Sequence, residues 1–335
     1  MKLEKVLIIL TLSVVIILLS AVRIGEYFGS ISSVPTPKNP DSSVPASQEE
    51  IKPLEQELQL TFDTKTASKD PFNDSNGPFY HDVNLATSID GVNFAFDSLV
   101  LEKASVPDVV RLADSTLAIY AVDGSGKSKS GLMVAISKDE GQTWQQGSVQ
   151  FDSLVPGAAD PDVVVLPDGK IRLYFVVFED VENKTVVPTN MVKSATSSDG
   201  VNFSLESGER LKYSNLTDPD VVKIGNSWFM YFSQGAKLLA AISSNGLSFK
   251  YQKDIRSLGS VSSTVKITEE TYRQFYCNNG IKSATSIDGL SWKDDAGYRL
   301  KPGTKEFVCD PAPLKTEGDN WLMYYKVAKV SESKQ

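Results

Sequence analysis

The chain has 335 residues, a formal net charge of −8 at pH 7 and 41% hydrophobic residues, which suits a globular protein with one large core. Its Lys and Arg residues are scattered, and this excludes the basic stripe of a nucleic-acid-binding protein. With one His and two Cys the sequence holds no zinc cluster, and no Ser-His-Asp set or phosphate-binding loop is found. We therefore predict no metal site and no cofactor.

The N-terminus carries an unbroken run of apolar and Ser/Thr residues over positions 6–22, preceded by Lys2 and Lys5. This length lies between a signal-peptide core and a minimal membrane-spanning helix. The cleavage motif after it is weak, and the two Lys favour a cytoplasmic N-terminus. We predict that residues 1–24 anchor the chain in the cell membrane with the remainder outside. Cleavage and secretion is the alternative. Residues 25–57, rich in Ser and Pro, are predicted to be an extended linker.

A short turn of the form Ser-x-Asp-Gly followed by an aromatic residue recurs five times over residues 58–330. The copies are Ser88–Phe94, Ser137–Trp144, Ser197–Phe203, Ser243–Phe249 and Ser286–Trp292. The Asp-Gly or Asn-Gly pair favours a tight hairpin, because both residue types tolerate positive φ. The steps between copies are 43 to 60 residues, which indicates a β-propeller rather than a helical solenoid. A feature repeated in every blade is more typical of architecture than of an active site.

Each repeat contains four predicted strands: an inner strand that Pro usually leads, an aromatic strand, a small-residue strand ending in Ser, and an outer strand after the turn. The inner strands begin near residues 107, 161, 219, 263 and 311. The chain enters with the last two strands of a unit and leaves with the first two. These halves complete one blade and close the ring. The sequence therefore predicts an all-β, five-bladed propeller with N-/C-terminal strand closure and a monomeric state. A structural cation in its channel is compatible with this fold.

Carboxylates cluster where the inner strands begin. Asp160, Asp218 and Asp310 each precede a Pro, and Asp108, Asp162 and Asp220 each follow one. The starts of the inner strands converge at one mouth of the channel. Carboxylates gathered there could perform acid/base chemistry or bind a cation or sugar hydroxyls. An Asp beside Pro also makes local turn hydrogen bonds, so a structural role stays open, above all for the three that follow Pro.

Three other residues have two interpretations each. His81, the single His, precedes a predicted strand and is more typical of a structural residue than of a catalytic or metal-binding one. Cys277 ends the fourth aromatic strand, and Cys309 precedes the fifth inner strand. In an exported chain this pair could form a disulfide, and two buried free thiols are the equal alternative.

The stretch Ala159–Tyr174, with Asp-Pro-Asp followed by Asp-Gly-Lys and an aromatic strand, resembles the second blade of family 43 arabinanases and β-xylosidases. Thr217–Tyr231 is similar to that family's third blade. The resemblance spans about residues 80–326 and extends to the related invertases of family 32. It implies a five-bladed propeller that hydrolyses glycosides with three carboxylates. Separately, Ser137–Trp144 looks like the Asp box of sialidases, which is a folding element in that family.

The resemblance also implies positions for the three carboxylates. The residue that tunes pKa corresponds to Asp160, which matches the family. The general base corresponds to Val106 and the general acid to Thr217, and neither side chain can perform that role. We therefore take Asp108 as the candidate base and Asp218 or Glu179 as the candidate acid. The candidate substrate-binding residues are Asp162, Asp220, Asp310 and Arg111.

Two functions remain open on these residues. One is an exported, membrane-anchored glycosidase with a rearranged carboxylate set. The other is a non-catalytic propeller that binds a glycan or a protein, and the missing carboxylates at Val106 and Thr217 favour it. A sialidase-like enzyme is a weaker alternative. It would need an Arg cluster for the substrate carboxylate, and only Arg111 lies on an inner strand.

Overall fold

A computed structural model describes residues 60–65, 69–112, 114–155, 157–180, 187–316 and 318–329. The predicted membrane anchor and linker lie outside the described residues. Within the described part of the chain, no helix is long and apolar enough to cross a membrane.

The described residues form strands joined by short turns, with a single turn of 310 helix at Pro78–Tyr80. The strands are β1 (His81–Ser88), β2 (Ala95–Glu102), β3 (Ala104–Arg111), β4 (Leu117–Asp123), β5 (Leu132–Ser137), β6 (Gln145–Ser148), β7 (Gln150–Phe151), β8 (Ala158–Val165), β9 (Ile171–Val177), β10 (Thr189–Ser197), β11 (Asn202–Leu205), β12 (Leu211–Ser214), β13 (Leu216–Ile224), β14 (Ser227–Gln234), β15 (Lys237–Ser243), β16 (Lys250–Arg256), β17 (Ser260–Lys266), β18 (Tyr272–Cys277), β19 (Ile281–Ser286), β20 (Lys293–Asp294), β21 (Glu306–Lys315) and β22 (Trp321–Lys329).

These strands build five sheets, which are the five blades of a propeller. Blade 1 is β3-β4-β5-β6, blade 3 is β13-β14-β15-β16 and blade 4 is β17-β18-β19-β20. Blade 2 is β8-β9-β10 with β7, β11 and β12 at its outer side. Blade 5 joins the two ends of the fold, because β21 and β22 pair with β1 and β2. The predicted five-bladed ring with N-/C-terminal closure is confirmed.

The five Ser-x-Asp-Gly turns are held by their own hydrogen bonds. In blade 5, the Gly91 N–H donates to Ser88 Oγ at 3.0 Å, and Asp90 Oδ1 accepts the N–H groups of Val92 and Asn93 at 2.8 Å each. The other four turns repeat the bond from the Gly N–H to the Ser hydroxyl. The likeness of Ser137–Trp144 to a sialidase Asp box stays a prediction.

A tyrosine on the aromatic strand fastens three of these turns to the preceding blade. The buried hydroxyls of Tyr120, Tyr174 and Tyr231 donate to the carbonyls of Gly200, Gly246 and Gly289 at 2.7, 2.8 and 2.7 Å. The turn glycine is required here, because Gly289 has a φ of +73° and a Cβ would lie 2.7 Å from Ile224. Adjacent blades are thus held together both by apolar packing and by a buried hydrogen bond.

The fourth and fifth blades depart from this tyrosine pattern. Blade 4 has Phe275 at the tyrosine position, and Arg273 donates instead to the Gly91 carbonyl at 2.9 Å. Blade 5 keeps Tyr324, which is fully buried, but its hydroxyl has no hydrogen-bond partner among the described residues. The facing turn carries an extra residue, Glu140, and its Gly141 carbonyl accepts from the Trp144 indole at 3.1 Å.

This difference gives a matched pair of stability variants. Tyr231→Phe should lower the free energy of unfolding by about 1 kcal/mol, because it removes a buried hydrogen bond, while the Gly289 carbonyl keeps the Trp292 indole N–H at 3.1 Å. Tyr324→Phe should change it by less than about 0.5 kcal/mol, because its hydroxyl has no bond to lose. Urea unfolding of both variants measures the difference. Equal losses would show that the tyrosine-to-turn bonds do not stabilise the ring.

Cys277 and Cys309 form a disulfide with their Cα atoms 5.3 Å apart. The bond joins the end of β18 in blade 4 to β21 in blade 5. Of the two alternatives in the sequence, the structure therefore has the disulfide, next to the ring closure.

Candidate functional site

The five inner strands β3, β8, β13, β17 and β21 contact one another in order around a central channel. We call the end at which they begin the mouth. Each strand has a bulge there, and the residue at the bulge has a left-handed backbone. These residues are Val106, Asp160, Asp218, Val261 and Asp310, with φ between 48° and 53°. Asp tolerates this conformation, whereas a β-branched Val adopts it rarely, so the ring imposes the bulge whatever the residue.

The bulge arranges the predicted carboxylates in two layers. The outer layer at the mouth contains Asp160, Asp218 and Asp310, and the inner layer one step further into the channel contains Asp108, Asp162 and Asp220. Between them the channel narrows to a cavity of 20 Å³, which is room for about one water molecule.

The outer layer is one connected cluster. Asp160 Oδ2 accepts the backbone N–H of Asp218 at 3.2 Å, and Lys326 forms an ion pair with Asp310. The side chains of Lys326 and Asp310 are only 13% and 3% exposed. Asp160 is also buried, whereas Asp218 is partly exposed at the mouth. Asp218 is therefore the carboxyl of this cluster that a bound molecule reaches most directly.

Burial and like charges shift the acidities in the cluster. Burial, together with the nearby charge of Asp310, raises the pKa of Asp218 to about 6. Burial and the charges of Asp218 and Asp310 also raise the pKa of Asp160 well above its usual value. Burial alone would lower the pKa of Lys326, but Asp310, Asp218 and Asp160 outweigh it and raise that pKa. The mouth thus combines a protonatable acid with an ion-paired carboxylate.

His81 lies beside this cluster, and its structural role stays a prediction. Its Nδ1 is 2.9 Å from Ser105 Oγ. Burial and the charge of Lys326 lower its pKa, against a raising effect of Asp310. Within the described residues, no group of three or more His, Cys, Asp or Glu side chains could hold a metal ion.

The inner layer fastens each inner strand to the next. Asp108 Oδ2 accepts the Val163 N–H at 2.7 Å, and Asp162 Oδ1 accepts the Val221 N–H at 3.2 Å. These bonds cross from blade 1 to blade 2 and from blade 2 to blade 3. The Asp that follows Pro in these blades therefore has a structural role, because it bonds its inner strand to the next one.

Asp220 repeats this bond on the Thr264 N–H at 3.0 Å and also accepts the hydroxyls of Thr264 and Ser262, both at 2.7 Å. Blade 4 has Ser263 at the equivalent position. The N–H it would face belongs to Pro313 of blade 5, which has none. The Asp is thus absent in blade 4, where the facing residue has no donor, and blade 5 has Ala312 at the equivalent position.

The fold has clear likenesses among solved structures. No family model matches the sequence, and no curated protein matches it. A thermostable family-43 glycoside hydrolase is 13% identical with a TM-score of 0.52, over 68% of this chain and 89% of that one. An α-L-arabinanase from Cellvibrio cellulosa, complexed with arabinohexaose, is 11% identical with a TM-score of 0.51, over 68% and 88%. A protein of unknown function from Dyadobacter fermentans is 13% identical with a TM-score of 0.50, over 73% and 83%.

The chain has the fold of the family-43 glycoside hydrolases. At these identities the likeness establishes the five-bladed architecture, so the chemistry rests on the residues of this chain. The left-handed position of the first three blades holds Val106, Asp160 and Asp218. The bulge geometry thus accommodates a carboxylate in blades 2 and 3, while blade 1 of this glycosidase-like propeller has a valine.

The remaining candidates lie at different places. Glu179 follows β9 on the mouth side, is exposed, and accepts the Thr189 N–H at 2.6 Å. Asp108, Asp162 and Asp220 lie deeper and make the strand-to-strand bonds described above. Arg111 ends β3 at the opposite end of the channel and binds both oxygens of Glu140, at 2.7 and 2.8 Å. The structure therefore brings Asp160, Asp218 and Asp310 together and leaves Arg111 away from the mouth.

Sequence reasoning missed Lys326, although the repeat contains a signal for it. The equivalent positions, two residues after the tyrosine position, are Val122, Val176, Ser233 and Cys277. Lys326 is the charged exception, and it pairs with Asp310. An alignment of the five aromatic strands against one another would have identified it.

Proposed function

We propose that this glycosidase-like propeller binds a carbohydrate at the mouth of its channel and hydrolyses it with Asp218 as the general acid. The observation that carries the proposal is the position of Asp218, a partly exposed residue at the mouth whose carboxyl pKa is raised by burial and Asp310 to about 6. A carboxylic acid with such a pKa is mostly protonated below pH 6 and can give its proton to a leaving oxygen there.

The second carboxylate of the reaction would be Asp310. Its ion pair with Lys326 stabilises the negative charge, so Asp310 can activate a water molecule or stabilise an oxocarbenium-like transition state. A protonatable acid beside an ion-paired carboxylate is an arrangement suited to acid/base hydrolysis. Asp160 would position Asp218 through its hydrogen bond to the Asp218 N–H. The role of Asp108 as base, and that of Glu179 as acid, stay alternative predictions.

Aromatic side chains around the mouth support a carbohydrate ligand. Tyr80, Phe178 and Phe307 are 49%, 47% and 47% exposed. They lie beside the start of β1, the end of β9 and the start of β21, which are all on the mouth side. Flat apolar rings next to convergent polar groups suit a sugar, which presents an apolar face and hydroxyls at its edge. A solved protein of the same fold is an arabinanase complexed with arabinohexaose.

A second candidate function is binding of a glycan without hydrolysis. Val106 favours it, because the first inner strand holds a valine where the resemblance implies a base. In that case the mouth cluster would orient sugar hydroxyls, and the aromatic side chains would supply the contact area.

We also propose that the propeller works outside the cell as a monomer, attached by the apolar segment at residues 6–22 or secreted after its cleavage. The Cys277–Cys309 disulfide supports an oxidising compartment.

A panel of aryl glycosides and plant and microbial polysaccharides, incubated with the full chain at pH 5, tests the proposal. We expect release of the aglycone or of reducing ends from at least one member, measured against chain heated to unfolding. Saturable binding on a glycan array without turnover would support the binding function instead. If the chain shows no turnover and no binding with any member, a carbohydrate ligand is refuted.

A further inference from the structure

The channel contains a second cavity, at the end opposite the mouth. We call it the funnel. It has a volume of 520 Å³ and is lined by residues 109–111, 163–167, 221–223, 263–265 and 313–314 of the five inner strands. It does not include the outer-layer residues Asp160, Asp218 and Asp310, and it shares only Asp108, Asp162 and Ser263 with the narrow cavity at the mouth.

The funnel has apolar walls and a carboxylate floor. Its walls are mainly Val side chains with Leu166 and Leu314, and its floor is the inner layer Asp108, Asp162 and Asp220. Three residues of β-strand span about 10 Å, which gives the funnel the depth for a chain of several methylene groups. An apolar stem would therefore reach the floor while its surface stays out of water.

The floor contains an oxygen that the fold leaves unused. Asp162 is only 8% exposed, and while its Oδ1 accepts the Val221 N–H, its Oδ2 has no hydrogen-bond partner among the described residues. Burial, with the charges of Asp108 and Asp220, raises the pKa of Asp162 well above its usual value. An unpaired buried carboxyl is costly, and a donor with positive charge would relieve that cost.

We propose that the funnel binds a small primary amine whose ammonium group contacts the floor carboxylates and whose alkyl stem lies along the apolar walls. An ammonium group has three donors, and three carboxyls from three consecutive blades converge on the floor. A neutral apolar molecule would leave Asp162 Oδ2 unpaired, and a bare ion would leave the walls without a partner. At the rim, Arg111 binds Glu140 and Lys223 lies 6.0 Å from the ring of Trp228.

The proposal can be tested on the full chain with n-pentylammonium chloride, followed by ligand-observed saturation-transfer NMR. We expect saturable binding that weakens about threefold for each methylene removed, down to propylammonium. Neutral n-pentanol and ammonium chloride should each bind at least about tenfold more weakly, because each lacks one half of the contact. Equal binding of pentanol, or the absence of any chain-length effect, would overturn the proposal.

Asp162→Asn is the matched variant. The amide keeps an oxygen to accept the Val221 N–H and removes the negative charge. We expect it to weaken pentylammonium binding at least about tenfold. The control Asp254→Asn, on the exposed outer strand β16, removes one charge elsewhere and should leave the affinity unchanged. Unchanged affinity in Asp162→Asn would refute the site.

Calcium chloride serves as the competing ligand. Displacement of pentylammonium by calcium at equal concentration would identify the floor as a metal site and reject the amine. If Asp162→Asn fails to fold, the comparison of pentylammonium, pentanol and ammonium on the wild-type chain still decides the question.

Discussion

Replacement of Asp218 by Asn should lower glycoside turnover by a factor of about 10²–10⁴, the range expected for loss of a general acid. The amide has nearly the same shape but cannot give a proton to the leaving oxygen. In the proposed mechanism the reactive form of Asp218 is the protonated acid. The protonated fraction of Asp218, and with it the activity, should therefore fall as pH rises through the pKa of about 6, with about half lost at that pH. Measuring kcat between pH 4 and pH 9 tests this fall in activity.

The leaving group distinguishes acid catalysis from a structural defect. The dinitrophenolate of a dinitrophenyl glycoside leaves without needing a proton. Asp218→Asn should therefore retain most of its activity on this substrate and lose activity on natural linkages. Glu179→Gln is the matched control, because Glu179 is the exposed alternative acid on the same side. If Glu179→Gln loses the activity and Asp218→Asn keeps it, the acid is Glu179. A uniform loss over all leaving groups in Asp218→Asn would contradict acid catalysis.

The fold could be predicted from the sequence because the repeat encodes it locally. Each Ser-x-Asp-Gly turn stabilises its own hairpin, and the half-units at the two ends imply closure. Both features depend on neighbouring residues, so periodicity alone reveals them. The disulfide could not be decided in this way, because it depends on the distance between two blades that the sequence does not give.

The candidate site was predicted only in part, for a physical reason. The sequence predicts that all six Asp residues flanking Pro gather at the mouth, whereas the structure has Asp160, Asp218 and Asp310 there and Asp108, Asp162 and Asp220 one step deeper. The sequence favoured a structural role for the Asp residues that follow Pro, but it did not show the bulge that separates the two layers. The residue at the bulge is Asp in three blades and Val in two, so residue type does not mark it. The bond from Asp108 to Val163 joins residues 55 apart in the chain and depends on ring geometry.

The layered carboxylates should make the protein less stable as pH rises from 4.5 to 8. Burial raises the pKa of Asp108 to about 7 and also raises those of Asp162 and Asp220. A carboxyl with a raised folded-state pKa binds more protons in the folded state. Its stabilisation is fully present below the unfolded value near 3.8 and is lost as pH rises through the folded value. We expect the free energy of unfolding to fall by roughly 2–5 kcal/mol over this range.

Other titratable groups make the protein less stable as the pH is lowered. Hydrogen bonds lower the pKa of Asp139 to about 2, and turn hydrogen bonds outweigh burial to bring that of Asp288 to about 2. Their stabilisation is present above the unfolded value and is lost as pH falls toward 2. The lowered pKa of His81 adds a smaller loss below about 6.5. Together these groups place the maximum of stability near pH 4–5, below the usual range for a globular protein.

Urea unfolding at pH 4.5, 6, 7 and 8 measures this dependence. Asp108→Asn keeps an oxygen for the Val163 N–H and removes the titrating group, so its stability should fall less steeply with pH than that of the wild-type chain. Asp139→Asn is the control, because its carboxylate is already ionised throughout this range and the slope should not change. A stability that rises from pH 4.5 to 8, or an unchanged slope in Asp108→Asn, would show that the channel carboxyls are ionised in the folded chain. The funnel floor would then already hold a compensating positive charge.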